Sequence, residues 1–293
     1  MPPLRIGTRG SSLALAQATA VADALAAADG AEPEIVPIKT SGDARRADPG
    51  DKSRFVKEIE DALLDGSVDL AVHSAKDVPG VLPDGLSIVG VPPRADPRDA
   101  IVGAESLAEL PDGARVGTSS LRRQAQIVAE RPDLQVVALR GNVDTRLRRL
   151  EEGDYAAIVL AVAGLERLGL PGGSPLDTLV PAAGQGCLAL EARSDHERAR
   201  ELAAALTDHD SLLRLTAERA LVEGLEADCR TPVGAHAALD GDSLVLTAFV
   251  GAPDGSAWVR DTVAAPADGP AALGREVASR LLAAGAAEVL AST

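Results

Sequence analysis

The chain has 293 residues, is 46% hydrophobic and carries a formal net charge of −15. That length suits two or three domains with a sizeable core, and the acidic balance argues against a general nucleic-acid binder. Four histidines and two cysteines, Cys187 and Cys229, show neither zinc-ligand nor disulfide spacing. No apolar run reaches membrane-span length, and no basic, apolar, cleavable segment opens the chain, so the expectation is a cytoplasmic protein.

Residues 4–8 read as a first strand. Arg9-Gly10-Ser11-Ser12 turns it into a helix over 12–28, with Ser11 or Ser12 as N-cap. Such a strand–Gly–helix start exposes free N–H groups to an anion. It is no G-x-G-x-x-G fingerprint and no P-loop occurs, so a nucleotide is not implied. A second strand is expected at 34–38. Residues 40–54 are polar and carry Pro and Gly, which predicts a long loop of the kind that serves as a lid or is disordered. A helix follows at 55–65.

The next strand is the most informative. Val68 to Val72 is largely apolar, and the run then ends in His73, Ser74, Lys76 and Asp77 before Pro79 and Gly80 stop it. Four chemically capable side chains thus sit at the carboxyl end of a buried strand, where open α/β sheets take their ligands. The chain has only four lysines, at 39, 52, 57 and 76. Their clustering next to this motif suggests that an ammonium is wanted there. No partner motif supports a nucleophilic Ser74, and His73 reads as structural.

Strands are expected at 86–91 and 100–103, separated by a Pro-, Asp- and Arg-rich hinge at 92–99. Arg115-Val116-Gly117-Thr118 then repeats the type of Arg5-Ile6-Gly7-Thr8, and each leads into a helix bearing Ala-Gln. This short repeat predicts two similar α/β lobes, each offering a helix N-terminus. Residues 115–149 hold eight arginines against three acids. Arg148 and Arg149 read as a solvated helix face. Arg122 and Arg123 follow a helix start, and Arg140 follows the strand 134–139. Guanidinium forks at strand ends suit carboxylate or phosphate, so this part of an acidic protein is expected to bind a polyanion.

Further on, 155–162 reads as a strand, 163–168 as a helix, 171–175 as a loop, 181–186 as a Gly-rich crossing and 187–191 as a strand. Helices follow at 195–206 and 211–225. Strands at 233–239, 243–250 and 257–263 alternate in polarity, and a helix at 270–284 covers them, giving a separate C-terminal α+β domain. Cys187, in an apolar run, reads as a core residue. Cys229, on a charged loop, reads as the more exposed and reactive thiol.

These motifs together resemble the hydroxymethylbilane synthase (porphobilinogen deaminase) family. The carrying stretches are TRGSSLALAQ (8–17), KSRFVKEIE (52–60), VDLAVHSAKDVP (68–79), GTSSLRRQAQ (117–126), RGNVDTRL (140–147), LAVAGLERLGL (160–170), PAAGQG (181–186), LTAERA (215–220) and ADCRTPVG (227–234). They span essentially the whole chain in order. Departures are few: Ala75 where the family commonly has Met or Leu, Ser12 where Pro is frequent, and Ala-Asp before Cys229 in place of Gly-Gly.

The resemblance implies an α/β fold of two similar lobes, resembling type II periplasmic binding proteins, plus a small C-terminal α+β domain. The expected boundaries are 1–95 with 187–208, then 96–186, then 209–293. It implies a monomeric transferase that joins four porphobilinogen molecules head to tail and releases ammonia each time. A dipyrromethane cofactor would be held by a thioether to Cys229. Asp77 matches the catalytic aspartate. Lys76, Ser74, Thr118, Ser120, Arg122, Arg123 and Arg146 match cofactor-binding positions. Arg9, Ser11, Gln17, Phe55, Arg140, Arg167 and Gln185 match substrate-binding positions, and Lys52 lies in the lid. Metal, nucleic acid and membrane are not implied.

The chemistry fits the residue reading. Each pyrrole of this reaction carries acetate and propionate, so the growing chain is a polyanion and arginines suit it. Loss of ammonia leaves a cationic azafulvene, which a carboxylate stabilises. At about 4 Å and an effective dielectric near 20 that attraction is about 4 kcal/mol, or roughly a thousandfold in rate. Two other classes compete. A two-lobe solute-binding protein would need neither the third domain nor Cys229. A Schiff-base enzyme using Lys76 is disfavoured because Asp77 beside it favours the ammonium.

Overall fold

The computed structural model describes residues 2–30, 32–40, 56–170, 172–227 and 231–291. The expected lid with Lys52 and Phe55, and the loop residue Cys229, lie outside the described residues. The chain forms two compact units, 1–95 with 187–212 and 96–186 with 213–293.

The first unit begins with β1 (Arg5–Arg9), α1 (Ser12–Asp29) and β2 (Glu34–Ile38), then α2 (Lys57–Leu64), β3 (Leu70–Ser74) and β4 (Leu86–Gly90). The second unit opens with β5 (Asp99–Val102), β6 (Arg115–Gly117), α3 (Leu121–Glu130), β7 (Gln135–Val137), α4 (Val143–Glu151), β8 (Ala157–Ala161), α5 (Val162–Arg167) and β9 (Ser174–Leu176). Then β10 (Leu188–Arg193) and α6 (Glu197–Ala205) return to the first unit. The remainder is α7 (His209–Gly224), β11 (Val233–Asp240), β12 (Ser243–Gly251), β13 (Trp258–Pro266), α8 (Pro270–Ala283) and α9 (Ala286–Ala291).

The two large sheets have one plan. The first runs β2-β1-β3-β10-β4 and the second β7-β6-β8-β5-β9. In each, three parallel strands are followed by an antiparallel one, β10 against β3 and β5 against β8. The short repeat at 5–8 and 115–118 thus marks equivalent inner strands, β1 and β6, each second from the edge of its sheet. Gly7 and Gly117 sit at the same place in them. A Cβ on Gly117 would come within 2.9 Å of Leu139 and 3.0 Å of Ile158, and one on Gly7 within 3.0 Å of Val68. Only glycine fits without displacing those side chains.

Leu4, Ile6, Leu70, Val72 and Leu190 pack with Val21 and Leu25 of α1 to make the core of the first lobe. On the other face Val68 and Ala71 meet Ile59 and Leu63 of α2. The third sheet, β11-β12-β13, is an antiparallel meander. Its alternating inner residues, Ala235, Ala237, Leu244, Leu246 and Ala248, pack on Leu273, Val277 and Leu281 of α8 and Leu221 of α7. The fold is therefore two matching α/β lobes and a small C-terminal α+β part.

One expectation fails. The span 171–175 was expected to be a loop, yet Ser174–Leu176 pairs antiparallel with β5 as an edge strand. Pro175 stands opposite Ala100 there. An edge strand tolerates proline because one side of its backbone needs no partner. The last helix, α9, had no signal beyond an alanine-rich tail.

Candidate functional site

The parallel strands β1 and β3 end on the same edge of the first sheet, so Arg9 and Ser11 lie on the edge that also carries Ser74, Lys76 and Asp77. Ser11 is the N-cap of α1: its side chain accepts from the Ala14 N–H at 3.3 Å. A helix start of this kind presents first-turn N–H groups and the positive end of its dipole, which suit an anion. Gln17, one helical turn and more further on, is buried. The end of β3 runs into a single 3-10 turn, Ala75–Asp77, fixed by Ala75 N–H donating to the Cys187 carbonyl at 3.0 Å. Ser74, Lys76 and Asp77 are each half-buried there. Cys187 is fully buried, as a core residue should be.

The second unit repeats the device. β6, β7 and β8 end on one edge, and β5, running the other way, begins on it. Thr118 and Ser120 follow β6. Ser120 is the N-cap of α3, accepting from Arg123 N–H at 3.4 Å, and Thr118 Oγ1 accepts from Ser120 N–H at 3.2 Å. Arg140 follows β7 and is exposed. Arg146 on α4 donates to the Gly141 carbonyl at 2.7 Å, and Arg167 at the end of α5 donates to the Gly186 carbonyl at 2.6 Å.

Arg122 and Arg123 point inward and meet at Asp99, the first residue of β5. Arg122 Nη1 donates to Asp99 Oδ2 at 2.6 Å. Arg123 Nη2 and Nε donate to Oδ1 at 2.7 and 2.9 Å. Gln185 Nε2 adds a further bond to Oδ1 at 2.9 Å and one to the Pro97 carbonyl at 2.7 Å. Burial alone would raise the Asp99 carboxyl. The two guanidiniums outweigh it and hold the group well below the usual carboxylate range. Burial, with Arg122 alongside, pulls Arg123 below the ordinary guanidinium value, against the pull of Asp99; a guanidinium still stays charged. Two cations on one anion leave this buried cluster net positive. Arg122 Nε is buried and has no hydrogen-bond partner, so the cluster keeps an orphaned donor beside the α3 N-terminus. These features fit an anionic, carboxylate-bearing group.

The Gln185 loop is itself anchored. The buried Glu218 of α7 accepts from Gly184 N–H at 2.7 Å and from Ala237 N–H of β11 at 2.8 Å.

Other arginines of the 115–149 cluster have structural partners. Arg131 grips Asp133 at 2.7 Å and the Leu107 carbonyl at 2.6 Å, Arg115 stacks 5.5 Å from the Tyr155 ring centre, and Arg148 faces Glu152 at 3.6 Å on the surface. Sequence reasoning missed Asp99. The available signal was an acid opening the otherwise apolar stretch Asp99-Ala100-Ile101-Val102.

Comparison with known proteins gives the family. Residues 4–201 match the family model described as porphobilinogen deaminase, dipyromethane cofactor binding domain, and residues 212–283 match the porphobilinogen deaminase C-terminal domain. The chain belongs to the porphobilinogen deaminase family. Porphobilinogen deaminase of Syntrophotalea carbinolica is 49% identical over 300 residues, covering 99% of this chain and 95% of the relative. That of a Roseiflexus species is 51% identical over 299 residues, covering 98% of each. That of Paracoccus denitrificans is 48% identical over 292 residues, covering 95% of this chain and 93% of the relative. Among solved structures, the methionine-binding protein MetQ overlays 71% of this chain and 91% of its own at a TM-score of 0.46 and 16% identity.

Proposed function

We infer that this chain is a porphobilinogen deaminase, or hydroxymethylbilane synthase. This transferase condenses four porphobilinogen molecules into linear hydroxymethylbilane, with release of ammonia, in tetrapyrrole biosynthesis. Full-length similarity to that family carries the reading. The cofactor is a dipyrromethane, whose chemistry when bound is to offer a free pyrrole end to the first substrate.

The roles of individual residues follow from the chemistry. Cys229 holds the cofactor as a thioether. Arg122, Arg123, Arg146, Thr118, Ser120, Ser74 and Lys76 bind its acetate and propionate groups. Support comes from the net positive charge around Asp99, the orphaned Arg122 Nε and the α3 N-terminus. Arg9, Ser11, Gln17, Phe55, Arg140, Arg167 and Gln185 serve the incoming substrate and the growing chain, and Lys52 belongs to the lid. Asp77 is the catalytic residue. Its carboxylate stabilises the cation left when ammonia departs and moves the proton at the pyrrole nitrogen. Lys76 beside it stays an ammonium and binds anions.

The same reading makes residues 1–95 with 187–208 the first lobe, 96–186 the second and 209–293 the cofactor-bearing domain. The enzyme works as a cytoplasmic monomer without nucleic-acid or membrane partners. The charge of −15 supports the exclusion of nucleic acid.

Intact mass spectrometry of the purified protein tests the assignment. The expected result is a covalent dipyrromethane adduct that is absent from Cys229→Ser and retained in Cys187→Ser. An unmodified, fully active protein would sink it.

A further inference from the structure

Behind the Ser74–Asp77 turn lies a cluster of titratable groups that the reaction as described leaves unused. His73 of β3, Glu191 of β10 and Glu60 of α2 are 5%, 0% and 6% exposed. His73 Nε2 stands 3.0 Å from Glu191 Oε2. Neither Glu191 oxygen, nor His73 Nε2, nor Glu60 Oε1 has a hydrogen-bond partner, so the 3.0 Å approach is a close polar contact off the hydrogen-bond line. It is the one close approach of a basic side chain to Glu191 among the described residues. A buried acid in this position is expensive. The sequence Leu188-Ala189-Leu190-Glu191-Ala192 could have carried another apolar residue there without loss of strand character.

The register shows what the acid touches. β10 pairs antiparallel with β3, Ala189 opposite His73 and Glu191 opposite Ala71. His73 and Glu191 are therefore diagonal neighbours across the ladder, a reach that long side chains span. β10 also shifts register against β4 between Leu190 and Glu191, so the strand is locally bent where the acid leaves it. His73 is the last buried side chain of β3 before the turn. The turn's own tie to β10, Ala75 N–H to the Cys187 carbonyl, lies just beyond it.

We propose that His73 is a positioning residue for the catalytic turn: held from β10 by Glu191 and flanked from α2 by Glu60, it fixes the end of β3 and with it the placement of Lys76 and Asp77. The inference rests on the assignment of Asp77 as the catalytic carboxylate. A pair retained only for stability would be replaceable by apolar residues of similar size. A pair that aims the turn would not be.

The test uses that difference. In His73→Leu, Glu191 is left buried without its partner, and both Tm and kcat should fall. In His73→Leu/Glu191→Leu both members of the pair are gone, and Tm should return to within a few degrees of the natural enzyme. The expected result for the double variant is a kcat still lowered about tenfold, with KM for porphobilinogen within about twofold and the cofactor adduct intact by mass. His73→Gln, which keeps a donor toward Glu191, should recover a several-fold share of the lost kcat. A double variant whose kcat returns together with its Tm overturns the proposal, as does a His73→Gln no faster than His73→Leu. Asp77→Ala, measured in parallel, separates the two readings. Normal turnover there removes Asp77 from catalysis, whereas lost turnover there with a fully active double variant removes only the positioning role of His73.

Discussion

Arg122 Nη1 and Asp99 Oδ2 meet at 2.6 Å inside the second unit, where both side chains are almost completely out of solvent. The same Asp99 takes two bonds from Arg123 and one from Gln185. An arginine pair proposed to hold carboxylates would repel itself if nothing sat between its forks. Asp99 supplies that counter-charge and fixes both planes, while leaving one positive charge over. This explains how an acidic protein can keep two adjacent guanidiniums buried at a helix start.

Asp99→Asn should therefore destabilise strongly. Removing one partner of a buried charged network costs about 3–5 kcal/mol, because two guanidiniums would share a neutral amide. Urea denaturation of the variant should show a loss in that range, accompanied by failure to assemble the cofactor adduct. A loss below about 1 kcal/mol would mean that the arginines satisfy each other through some other route.

Gln185→Glu tests the charge balance at nearly constant shape. The Gln185 amide donates to Asp99 and to the Pro97 carbonyl, and a glutamate can donate to neither. It would also cancel the surplus positive charge of the cluster. The expected outcome is a rise of about tenfold in KM for porphobilinogen or in the time needed to acquire the adduct, equal to about 1.4 kcal/mol. Unchanged values for both would remove Gln185 from anion binding.

Much of the fold was legible because its signals are local. The repeat Arg-Ile-Gly-Thr and Arg-Val-Gly-Thr marked equivalent inner strands of the two large sheets, and alternating polarity marked the C-terminal meander. The N-cap of the first helix was read to within one residue, Ser11 or Ser12, because a cap is a matter of adjacent residues; it is Ser11. Asp99 and Glu191 were not legible. Each is a single acid in an apolar run, and its meaning lies in partners that stand 23 residues away for Arg122 and on another strand for His73. The edge strand Ser174–Leu176 was hidden for a related reason: proline reads as a breaker until the neighbouring strand is known. Arg131 and Arg115 show the opposite error of pattern reading, since the fold gives these two members of a cationic stretch to the scaffold.

Ser120→Ala separates cap from ligand. The Ser120 side chain accepts from Arg123 N–H, and losing an N-cap costs about 1 kcal/mol. For a unit of this size that lowers Tm by roughly 2–4 °C. If Ser120 also binds cofactor carboxylate, Ser120→Asp should preserve Tm, since aspartate caps well, yet impair adduct formation by like-charge repulsion. Normal adduct formation in Ser120→Asp would leave Ser120 with the cap alone.

Glu60 sets a pH dependence whose sign can be worked out. Burial, the charge of Glu191 and that of Asp61 raise its carboxyl to about 7, while His73 pulls the other way. Charged groups also lie on the strands packed against α2. Arg5 of β1 is held by Asp69 at 2.7 Å, Arg9 ends β1, and Arg193 of β10 reaches the Leu63 carbonyl. Because the folded value lies above the unfolded one, near 4.5, Glu60 contributes stability that is complete below about pH 4.5. That contribution is lost as pH rises through 7. A shift of this size is worth up to ~3 kcal/mol, nearer ~2 after solvent screening. Other carboxylates complicate the absolute curve, since Asp69 and Asp96 are held low by their arginines, so the informative quantity is a difference between variants. Glu60→Gln mimics the protonated acid at every pH. Its Tm should exceed that of the natural protein by several degrees at pH 8, and the gap should close as pH falls to 5. A gap that stays constant from pH 5 to pH 8 would show that Glu60 does not titrate in this range.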